Sequence, residues 1–184
     1  MGRTRDDAAG EAFDKAARAM GMPYPGGVEM DKKAEYGNEN AFKLPHPTID
    51  GAPYDFSFSG LKTSVINLIH NADQKGQKLD VNDLAASFRK AVVDCLVKNF
   101  IKAAEDTNSK KLVIAGGVSA NSLLRRRLEK ECENRGWEFY RPELKLCGDN
   151  AAMVGSQAYY EYLSGNIAGM DLNACAQMPV DENL

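Results

Sequence analysis

The chain has 184 residues, of which 43% are apolar, so it is long enough for one core and too apolar for a disordered segment. Its 23 basic and 26 acidic side chains give a net charge of −3, which excludes an overall positive surface for nucleic acid. Four cysteines without Cys-x-x-Cys spacing or a neighbouring histidine argue against a zinc site and a disulfide scaffold. We therefore expect a cytoplasmic protein with reduced thiols. No long apolar run or leader is evident, so neither a membrane span nor export is expected.

The first part of the chain is expected to be helical. An alanine-rich amphipathic segment predicts a helix over residues 6–20, with Asp6 and Asp7 at its start. Prolines and glycines predict a loop over residues 23–27. A short second helix is predicted over residues 28–36.

Two further helices follow before the first strand. One is predicted over residues 61–71, with Ser57 or Ser59 as its cap. The longest is predicted over residues 81–106, where apolar side chains recur at helical spacing and form a core-facing stripe.

The centre of the chain has a strand, a glycine turn and a helix in succession. Residues 111–115 predict the strand, Gly116 and Gly117 follow, and the helix is predicted over residues 121–135. Adjacent glycines let the backbone approach a ligand, and a helix start presents unpaired N–H groups. The succession favours a nucleotide site, while the glycine pair alone is also ordinary turn chemistry.

The last elements complete an α/β pattern. Residues 137–140 predict a second strand and residues 150–163 a final helix. The alternation predicts parallel strands. The strand at 111–115 is apolar on both faces, as in the middle of a sheet, yet only one further strand is evident. A two-stranded sheet is a poor centre for such a domain, so we expect strands upstream of Met1, or an exposed edge that pairs with a second copy as a homodimer.

Five sequence blocks together resemble one family, the tRNA threonylcarbamoyladenosine transferases, formerly called glycoproteases or O-sialoglycoprotein endopeptidases. The blocks are Asp6-Asp-Ala-Ala-Gly-Glu-Ala-Phe-Asp-Lys15, Tyr24-Pro-Gly-Gly27, Asp55-Phe-Ser-Phe-Ser-Gly-Leu-Lys-Thr63, Ala115-Gly-Gly-Val-Ser-Ala-Asn121 and Asp149-Asn-Ala-Ala-Met153. The resemblance implies a partial ribonuclease-H-like lobe of the actin, hexokinase and Hsp70 type, corresponding to the C-terminal lobe without the N-terminal one.

The resemblance also implies a division of the chain into four parts. Residues 1–30 would hold the first helix and the glycine loop, and residues 31–80 the inserted helical subdomain. Residues 81–165 would form the α/β core of the lobe, and residues 166–184 an irregular tail.

In the intact family, the enzyme transfers threonylcarbamoyl from threonylcarbamoyl-AMP to the adenosine beside the anticodon of tRNA. The resemblance implies one divalent metal of the Fe, Zn or Mg class and the ATP- or AMP-type nucleotide moiety of the substrate. It also implies partner proteins, namely a paralogous dimerisation subunit and an ATPase. The family's H-x-x-x-H metal motif lies in the upstream part, and His46 and His70 are expected to be structural or surface residues. We therefore expect the isolated chain to be inactive.

The resemblance assigns roles to particular residues. It places Asp14 and Asp31 at the ribose, Gly27 against the nucleotide and Asn121 at the adenine or its ribose. It places the turn of Gly116 and Gly117 in the same site, with Glu11 as a weaker neighbour. It makes Asp149 the metal ligand of this lobe.

The residue types also permit structural roles at these positions. Asp14 could form a surface ion pair with Arg18, while Asn121 and Asp149 could each be a helix cap. Lys62 is more readily a solvated lysine than a phosphate or RNA contact. The consecutive arginines 125–127 favour a solvated helix face over an RNA patch.

Three alternatives to the transferase lobe differ in the motifs that they require. A metalloendopeptidase would need a zinc motif such as H-E-x-x-H, which the sequence lacks. An ATPase or kinase lobe of the same superfamily would not carry the Ser57-Phe-Ser-Gly60 insert. A non-catalytic binding or dimerisation fragment remains open. No serine or cysteine has a histidine and an acid arranged in a recognisable motif, so catalysis by positioning is expected.

Overall fold

The computed structural model describes residues 1–46 and 48–174. Their elements in chain order are α1 (Ala9–Ala19), α2 (Gly26–Ala34), α3 (Ser59–Gln74), α4 (Val81–Asp106), β1 (Lys111–Val113), α5 (Ser122–Arg135), β2 (Glu138–Tyr140) and α6 (Ala151–Leu163). Short 3₁₀ turns occupy Gly117–Ala120 and Leu144–Leu146. The chain forms two compact units, Met1–Gly148 and a second that begins at Asp149. The four-part division predicted from the sequence stays a prediction.

Helix α4 forms the centre of the first unit. Asp80 caps it by accepting hydrogen bonds from the backbone N–H groups of Asn82 and Asp83, at 2.7 and 3.2 Å. Its apolar stripe is buried, with Phe88 and Val92 both at 0% exposure. The helix and its core-facing stripe are therefore as the sequence predicts, because the cap and the apolar period are both local signals.

The first turn of α2 contains the two glycines that the sequence assigned to a loop. Pro25 precedes the helix in an extended conformation, and Gly26 and Gly27 are its first two residues. A Cβ atom on Gly26 would lie 2.5 Å from the Cβ atom of Ala17 on α1. The loop prediction was wrong for Gly26 and Gly27 because they begin α2, and Gly26 serves a close approach of two helices rather than a turn of the chain.

Asp6 caps α3 from a distance in sequence. Its Oδ1 accepts hydrogen bonds from the backbone N–H groups of Phe58 and Ser59, at 2.8 and 3.3 Å, and its Oδ2 from the Ser57 hydroxyl at 2.5 Å. The prediction of Ser57 or Ser59 as the cap was therefore wrong. Asp6 is also not part of α1, which begins at Ala9.

Asp7 joins the same two sequence blocks through ion pairs. Its carboxylate contacts Lys15 Nζ and Lys62 Nζ, both at 2.7 Å, and accepts a hydrogen bond from the Ser59 hydroxyl at 3.2 Å. The Lys15 and Lys62 hydrogen bonds lower the pKa of Asp7 from 3.8 to about 2. Lys62 is thus a partly buried structural residue, and the expectation of a solvated lysine was wrong.

We expect Asp7→Asn to make unfolding less dependent on pH in the acid range. Because the folded pKa lies below the unfolded one, Asp7 contributes stability above about pH 4 that is lost as the pH falls through about 2. The free energy of unfolding of the wild type should exceed that of the variant by roughly 1–2 kcal/mol at pH 6, and this difference should shrink towards pH 2. Urea unfolding at a series of pH values measures this. A difference that stays constant from pH 6 to pH 2.5 would contradict the assignment.

The strands form a parallel pair, with Leu112 of β1 opposite Phe139 of β2. Leu112 faces a cluster that includes Leu124 and Leu128 of α5, and it is 2% exposed. Val113, on the other face of β1, is 63% exposed. The predicted parallel pairing is therefore confirmed, and β1 is covered on one face only within the described part of the chain.

The second unit contains α6. Asn150 caps this helix by accepting a hydrogen bond from the backbone N–H of Met153 at 3.0 Å. The interpretation of Asp149 as the cap was wrong by one residue. Residues 166–174 form no helix or strand, while the rest of the predicted tail, with Cys175, lies outside the described residues. No helix in the described ranges is both long and apolar enough to cross a membrane.

Candidate functional site

A cleft of about 560 Å³ lies in the first unit between the α1–α2 pair and the turn before α5. One wall carries Asp14, Gly27 and Asp31, and the other carries Gly117 and Asn121. The remaining lining residues are Gly10, Phe13, Pro25, Val28, Lys32, Val118, Ala120 and Leu144. Five of the residues singled out from the sequence therefore meet in one cleft, although up to 107 positions separate them along the chain.

Asp14 connects the first two helices at the cleft. Its Oδ1 accepts a hydrogen bond from the backbone N–H of Gly27 at 3.1 Å. No ion pair between Asp14 and Arg18 is present in the described part of the chain, so that structural interpretation was wrong. The contact satisfies an otherwise unpaired N–H group in the first turn of α2. A Cβ atom on Gly27 would lie 3.6 Å from the Cβ atom of Phe13, which is an ordinary contact. Packing therefore does not require a glycine at this position.

Asp31 connects α2 to the start of α5. Its Oδ2 accepts a hydrogen bond from the backbone N–H of Ser122 at 3.0 Å, and its Oδ1 accepts one from the Ser122 hydroxyl at 3.1 Å. The Arg89 guanidinium also donates to Asp31 Oδ1, at 3.0 Å. Both oxygens of Asp31 thus have protein partners in addition to lining the cleft.

The glycine turn and its helix cap form the opposite wall. Gly116 has φ of 82°, a backbone conformation that side chains disfavour, and Gly117 begins the following 3₁₀ turn. Asn121 Oδ1 accepts a hydrogen bond from the Leu124 backbone N–H at 3.0 Å, which confirms the cap prediction. Gly116 shapes the turn without lining the cleft itself.

Arg89 and Ser122 hold the cleft residue Asp31 from outside the cleft lining, and neither was singled out from the sequence. Arg89 lies on α4 and is 4% exposed, and it donates to Glu35 Oε1 at 2.6 Å as well as to Asp31. The Arg89 guanidinium, aided by Arg126 and the Ser122 hydroxyl, lowers the pKa of Glu35 to about 2 despite its partial burial. The available signal was a charged residue directly after Phe88 within an apolar stripe, which requires a buried partner.

Glu11 lies outside the cleft lining and pairs with Lys15 at 2.6 Å. Of the three consecutive arginines, Arg126 is half exposed, as expected for a solvated face, whereas Arg125 is held by backbone carbonyl groups. Arg125 donates to the carbonyl oxygens of Ser119 and Pro142, at 2.6 and 2.8 Å. Arg126 pairs with Glu35 at 3.1 Å, and Arg127 pairs with Asp94 at 3.5 Å.

Asp149 belongs to the second unit, whereas the residues that line the cleft all belong to the first. Across residues 1–46 and 48–174, no three His, Cys, Asp or Glu side chains are grouped so that they could hold a metal ion. A single carboxylate is a poor site for a divalent cation. The described residues of this chain therefore do not fit a metal by themselves.

A family model described as tRNA N6-adenosine threonylcarbamoyltransferase matches residues 1–156. The chain belongs to this family. Similar curated family members include those of Clostridium botulinum (strain 657 / Type Ba4), 49% identical over 182 residues, and Moorella thermoacetica, 48% identical over 181 residues. These matches cover 99% and 98% of this chain, but 54% and 53% of the relatives. The chain thus spans about half the length of the curated family members it matches.

Two solved structures share the fold. A full-length HypF in its phosphate- and nucleotide-bound form has a TM-score of 0.59 at 19% identity, covering 84% of this chain and 20% of that one. The HypF of T. kodakarensis has a TM-score of 0.58 at 23% identity, covering 86% and 20%. The prediction of an α/β fold with a partial ribonuclease-H-like lobe is confirmed for this member of the family.

Proposed function

We propose that this chain supplies the nucleotide-binding lobe of a tRNA adenosine threonylcarbamoyltransferase. The observation that carries the proposal is the convergence of Asp14, Gly27, Asp31 and Asn121 on one cleft. Asp14, Gly27 and Asn121 come from three of the sequence blocks of the family, and no local folding rule requires them to meet one another or Asp31. Family membership supports the same conclusion.

The cleft residues are proposed to hold the AMP part of threonylcarbamoyl-AMP. Carboxylates at Asp14 and Asp31 can accept hydrogen bonds from ribose hydroxyls, and the Asn121 amide can contact the base. Gly27 leaves room for the ligand to approach the backbone. In the transfer, the adenosine amine of tRNA bonds to the threonylcarbamoyl carbonyl carbon, loses a proton, and the bond to the AMP phosphate breaks. Binding and orientation by this lobe would contribute by placing the reacting groups together.

Other parts of the proposal concern the longer enzyme. Asp149 is proposed as one ligand of a divalent metal whose other protein ligands lie outside this chain. The substrates would be threonylcarbamoyl-AMP and tRNA, the protein partners a paralogous dimerisation subunit and an ATPase, and the location the cytoplasm. The four-part domain division remains part of the same proposal.

Calorimetric titration of AMP with magnesium into the purified chain tests the proposed site. We expect saturable binding that Asp14→Ala weakens about tenfold, because the carboxylate at the ribose is lost. Glu11→Ala is the matched control, since it removes one negative charge from the same helix outside the cleft. The control should bind AMP as the wild type does.

Absence of AMP binding by the folded wild-type chain would contradict the proposed site. It would favour the alternative of a binding or dimerisation fragment, for which the edge position of β1 in the described two-stranded sheet is the supporting observation. Sedimentation of the same sample distinguishes the two, because pairing of two copies along β1 would give a dimer. A monomer without AMP binding would contradict both.

A further inference from the structure

We propose that Arg89 is the positioning residue that fixes the width of the nucleotide cleft, by tying α2 to the first turn of α5. The inference rests on the proposed function, because cleft width acts on the reaction through the bound nucleotide. Arg89 itself does not line the cleft.

Arg89 bonds to both helices at once. Its Nη1 donates to Asp31 Oδ1 at 3.0 Å, to Glu35 Oε1 at 2.6 Å and to the Ser122 hydroxyl at 3.3 Å. Its Nη2 donates to the Ala34 carbonyl oxygen at 3.2 Å. Asp31, Ala34 and Glu35 lie on or just after α2, whereas Ser122 is the first residue of α5. A planar guanidinium with fixed donor directions sets the distance and the angle between such partners.

The energetics favour a role in geometry. Arg89 is 4% exposed, and its Nε is buried without a hydrogen-bond partner in the described part of the chain. Burial of a charge and of an unpaired N–H group both cost free energy, and apolar residues often replace buried ion pairs without loss of stability. A buried arginine at this position is therefore accounted for by the order that it imposes on its partners, while its removal alone would leave the Asp31 carboxylate without its cationic partner.

Two contacts then define the two walls. At one end of α2, Asp14 accepts from the Gly27 backbone N–H and fixes α2 to α1. Further along α2, Asp31 accepts a hydrogen bond from the Ser122 backbone N–H, and Arg89 holds the Asp31 carboxylate in place. Ser122 directly follows Asn121 and the glycine turn, so anchoring Ser122 anchors the opposite wall.

Hydrogen exchange of the backbone amides tests the tie without any ligand. We expect Arg89→Met to speed exchange at residues 117–124 about tenfold or more, with no change in α1 or α3, since the lost tie joins α2 to the start of α5. Arg126→Met is the matched control, because Arg126 contacts the same Glu35 oxygen at 3.1 Å but is half exposed and makes no contact with Asp31. If Arg89→Met does not fold, Arg89→Lys replaces it, because lysine keeps the charge and cannot bridge the two helices. Exchange at residues 117–124 that matches the wild type in the folded variant would overturn the proposal.

AMP affinity then separates positioning from a merely structural role. Well below the unfolding temperature, we expect the folded Arg89 variant to bind AMP about tenfold more weakly, whereas a structural role would lower the unfolding midpoint and leave Kd unchanged. Adding Ser122→Ala to the Arg89 variant should cause little further loss of AMP affinity, because both substitutions break the same connection between α2 and α5. Fully additive losses, or an unchanged Kd, would overturn the proposal. Lack of AMP binding by the wild type would count against the proposed function, while the exchange result still decides the role of Arg89.

Discussion

Replacing Gly26 with alanine is expected to lower the free energy of unfolding by about 2 kcal/mol, because the added methyl group overpacks the α1–α2 contact. The new Cβ atom would lie 2.5 Å from Ala17 Cβ and 3.0 Å from Asp14 Cα. Neither atom is the end of a flexible side chain, so the helices must separate. Urea unfolding monitored by circular dichroism measures the change.

The same substitution one residue later is expected to act on the ligand instead. Gly27→Ala places its Cβ atom 3.6 Å from Phe13 Cβ, so stability should change by no more than about 0.5 kcal/mol. Its methyl group would project into the cleft, and AMP binding should weaken about tenfold. Gly60→Ala is the control for both, since no atom lies within 4 Å of its added Cβ. A Gly26→Ala variant with the same free energy of unfolding as the wild type would refute the overpacking prediction. An unchanged AMP affinity in Gly27→Ala would refute the prediction for the cleft.

Asp6→Ala is expected to lower the free energy of unfolding by about 2–3 kcal/mol, because the Asp6 carboxylate accepts three hydrogen bonds at the start of α3. The backbone N–H groups of Phe58 and Ser59 would lose their partner, and the N-terminal segment would lose an attachment to α3. The loss should appear as a lower urea midpoint with an unchanged slope.

Two variants set the scale for the Asp6 effect. Asp73→Ala removes an exposed acid near the other end of α3 and should change stability by less than about 0.5 kcal/mol. Asp6→Asn keeps an acceptor oxygen and should recover much of the loss, since asparagine is also a good cap. An Asp6→Ala effect no larger than that of Asp73→Ala would show that α3 does not depend on this cap.

How far the sequence predicted the fold depends on where each element's partners lie. Helix α4 was predicted within its observed bounds because its apolar stripe repeats along one continuous segment. The cap of α3 was not predicted, because Asp6 lies 52 residues from Phe58 in sequence. No pattern within α3 itself indicates that carboxylate.

The candidate site shows the same division. Asp14, Asp31 and Asn121 were singled out through the family resemblance, and the structure brings them to one cleft. Arg89 was missed because its role depends on α2 and α5 meeting beside α4. A buried arginine is visible in sequence only as a charge next to an apolar stripe, and its partners are 54, 58 and 33 residues away.

The sequence by itself determined the family, the long central helix, the parallel strand pair and the glycine turn, because motifs, caps and apolar periods are encoded within short segments. Tertiary structure alone decided that Gly26 serves helix packing while Gly27 faces the cleft, and that Asp6, Asp7 and Lys62 join distant segments. It also decided that Arg89 ties α2 to α5. The physical reason is that close approach and buried charge pairing depend on distances between segments, which only the folded chain defines.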